Sequence, residues 1–252
     1  MKRRTSFKLG PVLFVLAAML NQKALCEAEW PDPSESRATI PAQRMQENQL
    51  RRYKKEFDEK KVELVFMGDS IMNGWRYKYS KPIFEEHYSK YVTCNFSKGG
   101  DTTANVIWRM DKILTPENFS PKLVVLLIGI NNMMGHEGNQ EPEVVRDGVI
   151  AILKRIHKLS PRTQILLLAT FPAGAPPTHM FRPKVKALGK LLKPLAENDP
   201  ARIHFLDVGH LFLEKDGTIT KEMFFDQLHL SEKAYKIWAN AMDPYIRRLV
   251  GK

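Results

Sequence analysis

Five short apolar runs, each leading into a helix-like stretch, constrain this chain more than anything else in it. They cover residues 62–67, 92–96, 123–128, 164–169 and 203–208. The third, Leu-Val-Val-Leu-Leu-Ile, has no polar residue at all, as a strand buried on both faces requires. Between the runs the apolar spacing changes to that of a helix. Residues 102–114 place Val106, Ile107, Met110 and Ile113 on one face. Pro142 opens a stretch to Leu159 with Val145, Val149, Ile152, Leu153 and Ile156 at helical spacing. Residues 181–198 form a basic helix with a break expected at Pro194, and Ser231, with Ala234 three residues on, caps a last helix reaching Val250. Strand and helix alternating five times is the pattern of a parallel sheet with helices on both faces. Right-handed crossovers then put every strand's carboxyl end at one edge, where such sheets bind their ligands.

The remainder of the chain frames that core. Residues 42–61 lack Pro and Gly and place Met45, Leu50, Tyr53 and Phe57 within a charged stretch, which reads as a surface helix before the first strand. Residues 29–41, rich in Pro, Ser and charge, read as a linker. Ahead of them, Lys2-Arg3-Arg4, an apolar run over 9–20 and small residues near Cys26 and Ala28 have the layout of a secretory signal, so 1–28 is expected to be removed on export. The apolar run is too short for a stable membrane anchor. Its five Lys/Arg against one Glu account for part of the +11 formal charge, and removal leaves +7. A basic balance favours acidic partners, but no tight Lys/Arg block interleaved with aromatics points to nucleic acid. With 252 residues in all, 42–252 suffice for one core and one domain. Only Cys26 and Cys94 occur, so no disulfide is expected in the mature chain. Of two Asn-x-Ser sequons, Asn118 suits a glycan better than Asn95, which ends a strand beside a Gly-rich loop.

The residues expected at the carboxyl edge carry the chemistry. After the first strand comes Gly68-Asp69-Ser70, whose hydroxyl is either a helix cap or a nucleophile. After the second comes Ser97-Lys98-Gly99-Gly100-Asp101, with Asp101 read as an N-cap or first-turn residue. After the third comes Gly129-Ile130-Asn131-Asn132, and ahead of the last helix Asp226-Gln227-Leu228-His229. A serine nucleophile needs an imidazole base, and the base needs a carboxylate to fix its tautomer. A tetrahedral intermediate needs donors, which a Gly N–H at a helix start and an Asn amide supply. No HExxH or Cys/His spacing suggests a metal, and the chemistry needs neither metal nor cofactor. Trp75, Tyr77 and Tyr79 read as an aromatic cluster suited to stacking on a sugar, whereas Trp108 reads as core.

These blocks, in this order, resemble those of the SGNH (GDSL) hydrolases, and most of all the catalytic subunits of the platelet-activating-factor acetylhydrolases. The likeness covers roughly residues 45 to 250 and rests on Val65-Phe66-Met67-Gly68-Asp69-Ser70, Gly99-Gly100-Asp101-Thr102-Thr103, Gly129-Ile130-Asn131-Asn132 and Phe224-Phe225-Asp226-Gln227-Leu228-His229. It implies a three-layer α/β/α sandwich on a five-stranded, flavodoxin-like, doubly wound parallel sheet. It also implies Ser70, Asp226 and His229 as the catalytic triad, with Ser70, Gly100 and Asn131 as the oxyanion hole. Ser97-Lys98 replaces the small and apolar residues usual before the Gly pair, which leaves the shape and charge of the cleft wall open. The expectation is an exported serine esterase acting on short acyl esters, acetyl foremost, on carbohydrate or on phospholipid. The contrasting reading is a non-catalytic glycan- or lipid-binding module on the same fold. Monomer and homodimer both stay open.

Overall fold

A computed structural model describes residues 31–134 and 139–251. The segment read as an export signal, 1–28, lies outside the described residues. Strands β1 (Leu64–Gly68), β2 (Thr93–Ser97), β3 (Leu123–Leu127), β4 (Gln164–Leu168) and β5 (Ile203–Leu206) form one parallel sheet in the order β2-β1-β3-β4-β5. All five expected runs are strands. Four are trimmed by one or two residues at an end, β1 gaining Gly68 at the other, and β2 keeps its length but is shifted by one. Every residue of β1 and β3 is buried, which is why their sequences are continuously apolar, whereas edge strand β5 is only half-buried beyond Ile203.

Among the described residues eight α-helices connect and cover the strands: α1 (Glu47–Glu59), α2 (Ser70–Asn73), α3 (Lys81–Tyr88), α4 (Thr103–Ile113), α5 (Ile130–Met134), α6 (Pro142–Leu159), α7 (Phe181–Asn198) and α8 (Glu232–Val250). The anticipated apolar stripes are the buried ones: Leu50, Tyr53 and Phe57 on α1, and Val145, Val149, Ile152, Leu153 and Ile156 on α6. Ser231 caps α8 by accepting from the Ala234 N–H at 3.2 Å, and Gly251 ends it in the left-handed conformation at φ 76°. The expected break at Pro194 does not occur, and α7 runs through it. Pro194 and Lys190 are both exposed, so the carbonyl deprived of its donor lies on the solvent side, where water satisfies it.

The register decides where the loops leave the sheet. Gly68, the last residue of β1, pairs with Ser97 at the end of β2 and with Leu127 at the end of β3. Three consecutive loops therefore start at one level, with the topological switch between β1 and β3 among them. A side chain at position 68 is excluded, since a Cβ there would lie 2.1 Å from the Leu127 carbonyl oxygen. Ahead of α1, the stretch from Ser34 is tied down on α4 and α6. Ser34 Oγ donates to Asp147 at 2.7 Å, Thr103 Oγ1 to the Ala38 carbonyl at 2.8 Å, and the Ala42 N–H to the Ala104 carbonyl at 3.2 Å. Among the described residues no helix is long and apolar enough to cross a membrane.

Candidate active site

Ser70 opens α2 directly after β1. Asp69 turns the chain there, its Oδ1 accepting the Ile71 N–H at 3.0 Å. Burial pushes the Asp69 carboxyl up to about 7, with a further rise from nearby Asp101, against the lowering effect of that N–H. Asp69 thus shapes the turn from inside the protein, while Ser70 is half-exposed at the sheet edge.

His229 reaches Ser70 from a loop 159 residues later in the chain. Its Nε2 lies 2.9 Å from Ser70 Oγ, and its Nδ1 lies 2.6 Å from Asp226 Oδ2. An ionised carboxylate only accepts, so Nδ1 carries the proton and Nε2 is left to accept the Ser70 hydroxyl. Asp226 is well held for this. Burial pushes its carboxyl up, but N–H donation from His229 and Leu228 (2.7 and 3.0 Å) and the His229 ring outweigh it, so its pKa lies below the ordinary carboxylate value. The arrangement can deprotonate the hydroxyl as it attacks a carbonyl and return that proton to a leaving group.

The other two loops supply donors. Gly100 stands in the left-handed region at φ +76°, and a Cβ on it would fall 2.2 Å from Nη2 of Arg44, so only glycine suits this place. Gly99 lies next to Ser70, its own would-be Cβ 3.8 Å from that of the serine. Asn131, the second residue of α5, donates one Nδ2 hydrogen to the Asp101 carbonyl at 2.9 Å, which fixes the amide beside the Gly pair. The Ser70 and Gly100 N–H groups have no acceptor among the described residues. Asn132 plays a different part. It is fully buried, accepts the Thr103 N–H at 3.0 Å and donates to Thr103 Oγ1 and Gln140 Oε1, pinning α5 to α4.

Two expectations need correction. Asp101 is not the cap of α4, because Thr102 is, with the Asn105 side chain accepting its N–H at 2.8 Å. The Asp101 carboxylate instead binds Arg109, eight residues on, inside the protein. The aromatic cluster after Ser70 is not an exposed one: Trp75 is buried against Tyr235 and Trp238, and Tyr79 donates to the Leu230 carbonyl at 3.1 Å. Tyr77 alone of the three is exposed. His87, unremarkable in sequence, pairs with Asp243 at 3.0 Å and ties α3 to α8.

Other contributors were invisible in the sequence. Gln227 is one of two non-glycine residues with positive φ among the described residues, at 72°, and its side chain and carbonyl accept the N–H groups of Ala175 and Gly174. That bridge to the loop after β4 holds the Asp226–His229 turn over Ser70. Phe225 stacks on the His229 ring at 6.0 Å and 18°. Only the strained backbone identifies Gln227, and backbone angles are not written in residue types.

Comparison with known proteins places this chain in a family. Residues 66–237 match the model of the GDSL-like Lipase/Acylhydrolase family. The alpha1 subunit of platelet-activating factor acetylhydrolase IB from Rattus norvegicus is 32% identical over 194 residues, 77% of this chain and 79% of that protein. Among solved structures, a putative acylhydrolase from Bacteroides fragilis superposes with TM-score 0.67 at 21% identity, covering 82% of this chain and all of that one. An acetylxylan esterase from Geobacillus stearothermophilus gives TM-score 0.57 at 17% identity, covering 77% and 95%. At such identities the two superpositions speak for the fold, whereas the family model and the rat subunit speak for descent. The chain belongs to the GDSL-like lipase/acylhydrolase family and is a carboxylic ester hydrolase.

Proposed function

We propose that the protein is an exported serine esterase that removes short acyl groups, acetyl foremost, from carbohydrate through an acyl-enzyme. The observation that carries the catalytic part is the continuous chain Ser70 Oγ, His229 Nε2, His229 Nδ1, Asp226 Oδ2, with contacts of 2.9 and 2.6 Å. Ser70 Oγ attacks the ester carbonyl while its proton passes to His229 Nε2. The N–H groups of Ser70 and Gly100 and the second Nδ2 hydrogen of Asn131 hold the developing oxyanion. Collapse expels the alcohol, which takes the proton from His229, and leaves acyl-Ser70. Water attacks that ester with His229 again as base, and the acid departs with Ser70 restored. Asp226 stays ionised throughout and stabilises the imidazolium.

Acetyl as the acyl group is supported by the likeness to the rat acetylhydrolase subunit and to the Geobacillus acetylxylan esterase. Those two divide over the alcohol. The polar cleft whose wall includes Gly99, next to Ser70, favours a sugar, while the 32% identity to an acetylhydrolase of platelet-activating factor favours an acetyl phospholipid as the second reading. Acetate release measured on an acetylated xylan and on a short-chain acetyl phospholipid separates the two. Wild type is expected to release acetate faster from the glycan and Ser70→Ala from neither; release by Ser70→Ala at the wild-type rate sinks the mechanism. Export is proposed from residues 1–28, and a mature N-terminus beyond Cys26 or Ala28 is the expected result of sequencing the purified protein.

A further inference from the structure

A cavity of about 410 Å³ opens between α1 and the loop after β2, one residue away from Ser70. Gly99 belongs to both places, since it lines the cavity and lies against Ser70. Asn73, one helical turn after Ser70, forms another part of the wall. The lining includes Arg52, Arg76 and Lys98 and not a single carboxylate residue. Lys98, one of the two residues that depart from the family pattern, precedes Gly99 in this wall.

The hydrogen bonds within the wall sharpen its character. The side-chain oxygens of three lining amides are already occupied: Asn48 Oδ1 by the Gln49 N–H at 2.8 Å, Gln49 Oε1 by the Gln46 N–H at 3.4 Å, and Asn73 Oδ1 by Arg76 Nη1 at 2.5 Å. Because each oxygen accepts from an N–H, the amide orientations are fixed and the NH₂ groups are left over. The Ser97 carbonyl is likewise taken, by Tyr53 and Arg76. Among the described residues neither Lys98 nor Arg76 forms an ion pair, and Arg52 pairs with Glu56 on the exposed surface of α1. These four acceptors are used, while the amide NH₂ groups and the positive charge of the wall remain. Such a wall recognises an anion with several oxygens. Its volume is within the range of small-ligand sites.

We propose that this cavity binds the carboxylate of an acidic sugar, so that the esters cleaved at Ser70 include those carried by a hexuronate-containing glycan. Lys98 and Arg52 bind the carboxylate, and the amides of Asn48, Gln49 and Asn73 bind neighbouring hydroxyls. Arg76, whose guanidinium already donates to Asn73, Ser97, Tyr53 and Asn95, holds the wall in shape and adds its charge. A sugar suits this lining better than a lipid headgroup with its chains, because Met45 and Tyr53 are its only large apolar members. Placing the anion on the alcohol side of the ester rests on the esterase reading above; the binding itself does not.

Calorimetric titration of the Ser70→Ala protein, which removes turnover from the measurement, tests the site with trigalacturonate, xylotriose and glycerophosphocholine. Trigalacturonate is expected to bind at least about tenfold more tightly than xylotriose, as one or two charge-assisted hydrogen bonds imply. Adding Lys98→Ala and Arg52→Ala is expected to weaken trigalacturonate about 10- to 100-fold. Lys98→Arg alone, which keeps the charge, is expected to retain the binding and shows that any loss is not a failure to fold. Trigalacturonate binding no more tightly than xylotriose, or no weaker in the double variant, overturns the site. Tighter binding of glycerophosphocholine than of trigalacturonate overturns its assignment to an acidic sugar. Neither result bears on Ser70, which acetate release judges separately.

Discussion

Asp226 and Asp101 stand at the same edge of the sheet, and each grips a nitrogen base through its side chain, yet they can do very different work. Asp226 holds His229 with the carboxylate 45% and the imidazole 27% exposed. Asp101 holds Arg109 with 0% and 1%. The first pair lies in one turn, three residues apart, and the far nitrogen of its imidazole faces Ser70. The second spans the first two turns of α4 beneath the Gly99–Gly100 loop, and a guanidinium does not release its proton. Arg109 also donates to the Phe96 carbonyl at 3.1 Å and stacks over the Phe96 ring at 4.7 Å, so the pair bolts α4 to the end of β2. The pair that keeps a face to the cleft is placed to pass a proton to and from Ser70. Fixing the donor loop belongs to the pair sealed beneath it.

Removing charge from each pair should therefore give opposite readouts. Asp226→Asn keeps an oxygen for the two backbone N–H groups but no longer dictates the tautomer of His229. Turnover of an activated aryl acetate should fall by roughly 10³- to 10⁴-fold with little change in thermal midpoint. A loss under tenfold would mean that Asp226 does not govern His229. Asp101→Ala leaves Arg109 buried without its partner and should lower unfolding free energy by about 3–5 kcal/mol in urea titration. Asp101→Ala with Arg109→Met should recover most of that loss, and a single-variant loss under about 1 kcal/mol would contradict the bolt.

The smallest expected effect concerns Asp69, the acid lying between these two pairs. Its folded pKa is about 7 against an unfolded value of 3.8. Across that window the folded chain keeps a proton that the unfolded chain has released, so stability from this group declines as pH rises and levels off above about 7. Asp69→Asn keeps the acceptor for Ile71 and has no proton to lose. Its urea midpoint should drop less than that of wild type between pH 4.5 and pH 7.5, and equal drops would remove Asp69 from this role.

Much of the molecule was legible because its physics is local. The wholly apolar run at β3 announces a strand buried on both faces, and the Pro at the start of α6 and the Ser before α8 announce helix ends. The order of the four motif blocks was legible too, and it is what brings Ser70, Asp226 and His229 onto one short list. What failed depends on distant neighbours. Pro194 signals a break in isolation, but whether water can replace the lost donor depends on which side of α7 faces out. Asp101 before a helix reads as a cap until Arg109, two turns on, is seen to be inside. Trp75 reads as a sugar platform until Tyr235 and Trp238 from the last helix close over it. The donor-rich cavity is made of α1, α2 and the loop after β2, and no single segment of sequence shows it.

The central claim is that Ser70, and no other hydroxyl, forms the acyl-enzyme. A fluorophosphonate probe, which esterifies a serine activated by a neighbouring imidazole, followed by peptide mass spectrometry, tests this directly. The modification is expected on the peptide carrying Ser70, at one site per chain, and is expected to vanish in Ser70→Ala and in His229→Ala. Labelling of a different serine, or undiminished labelling in His229→Ala, would contradict it.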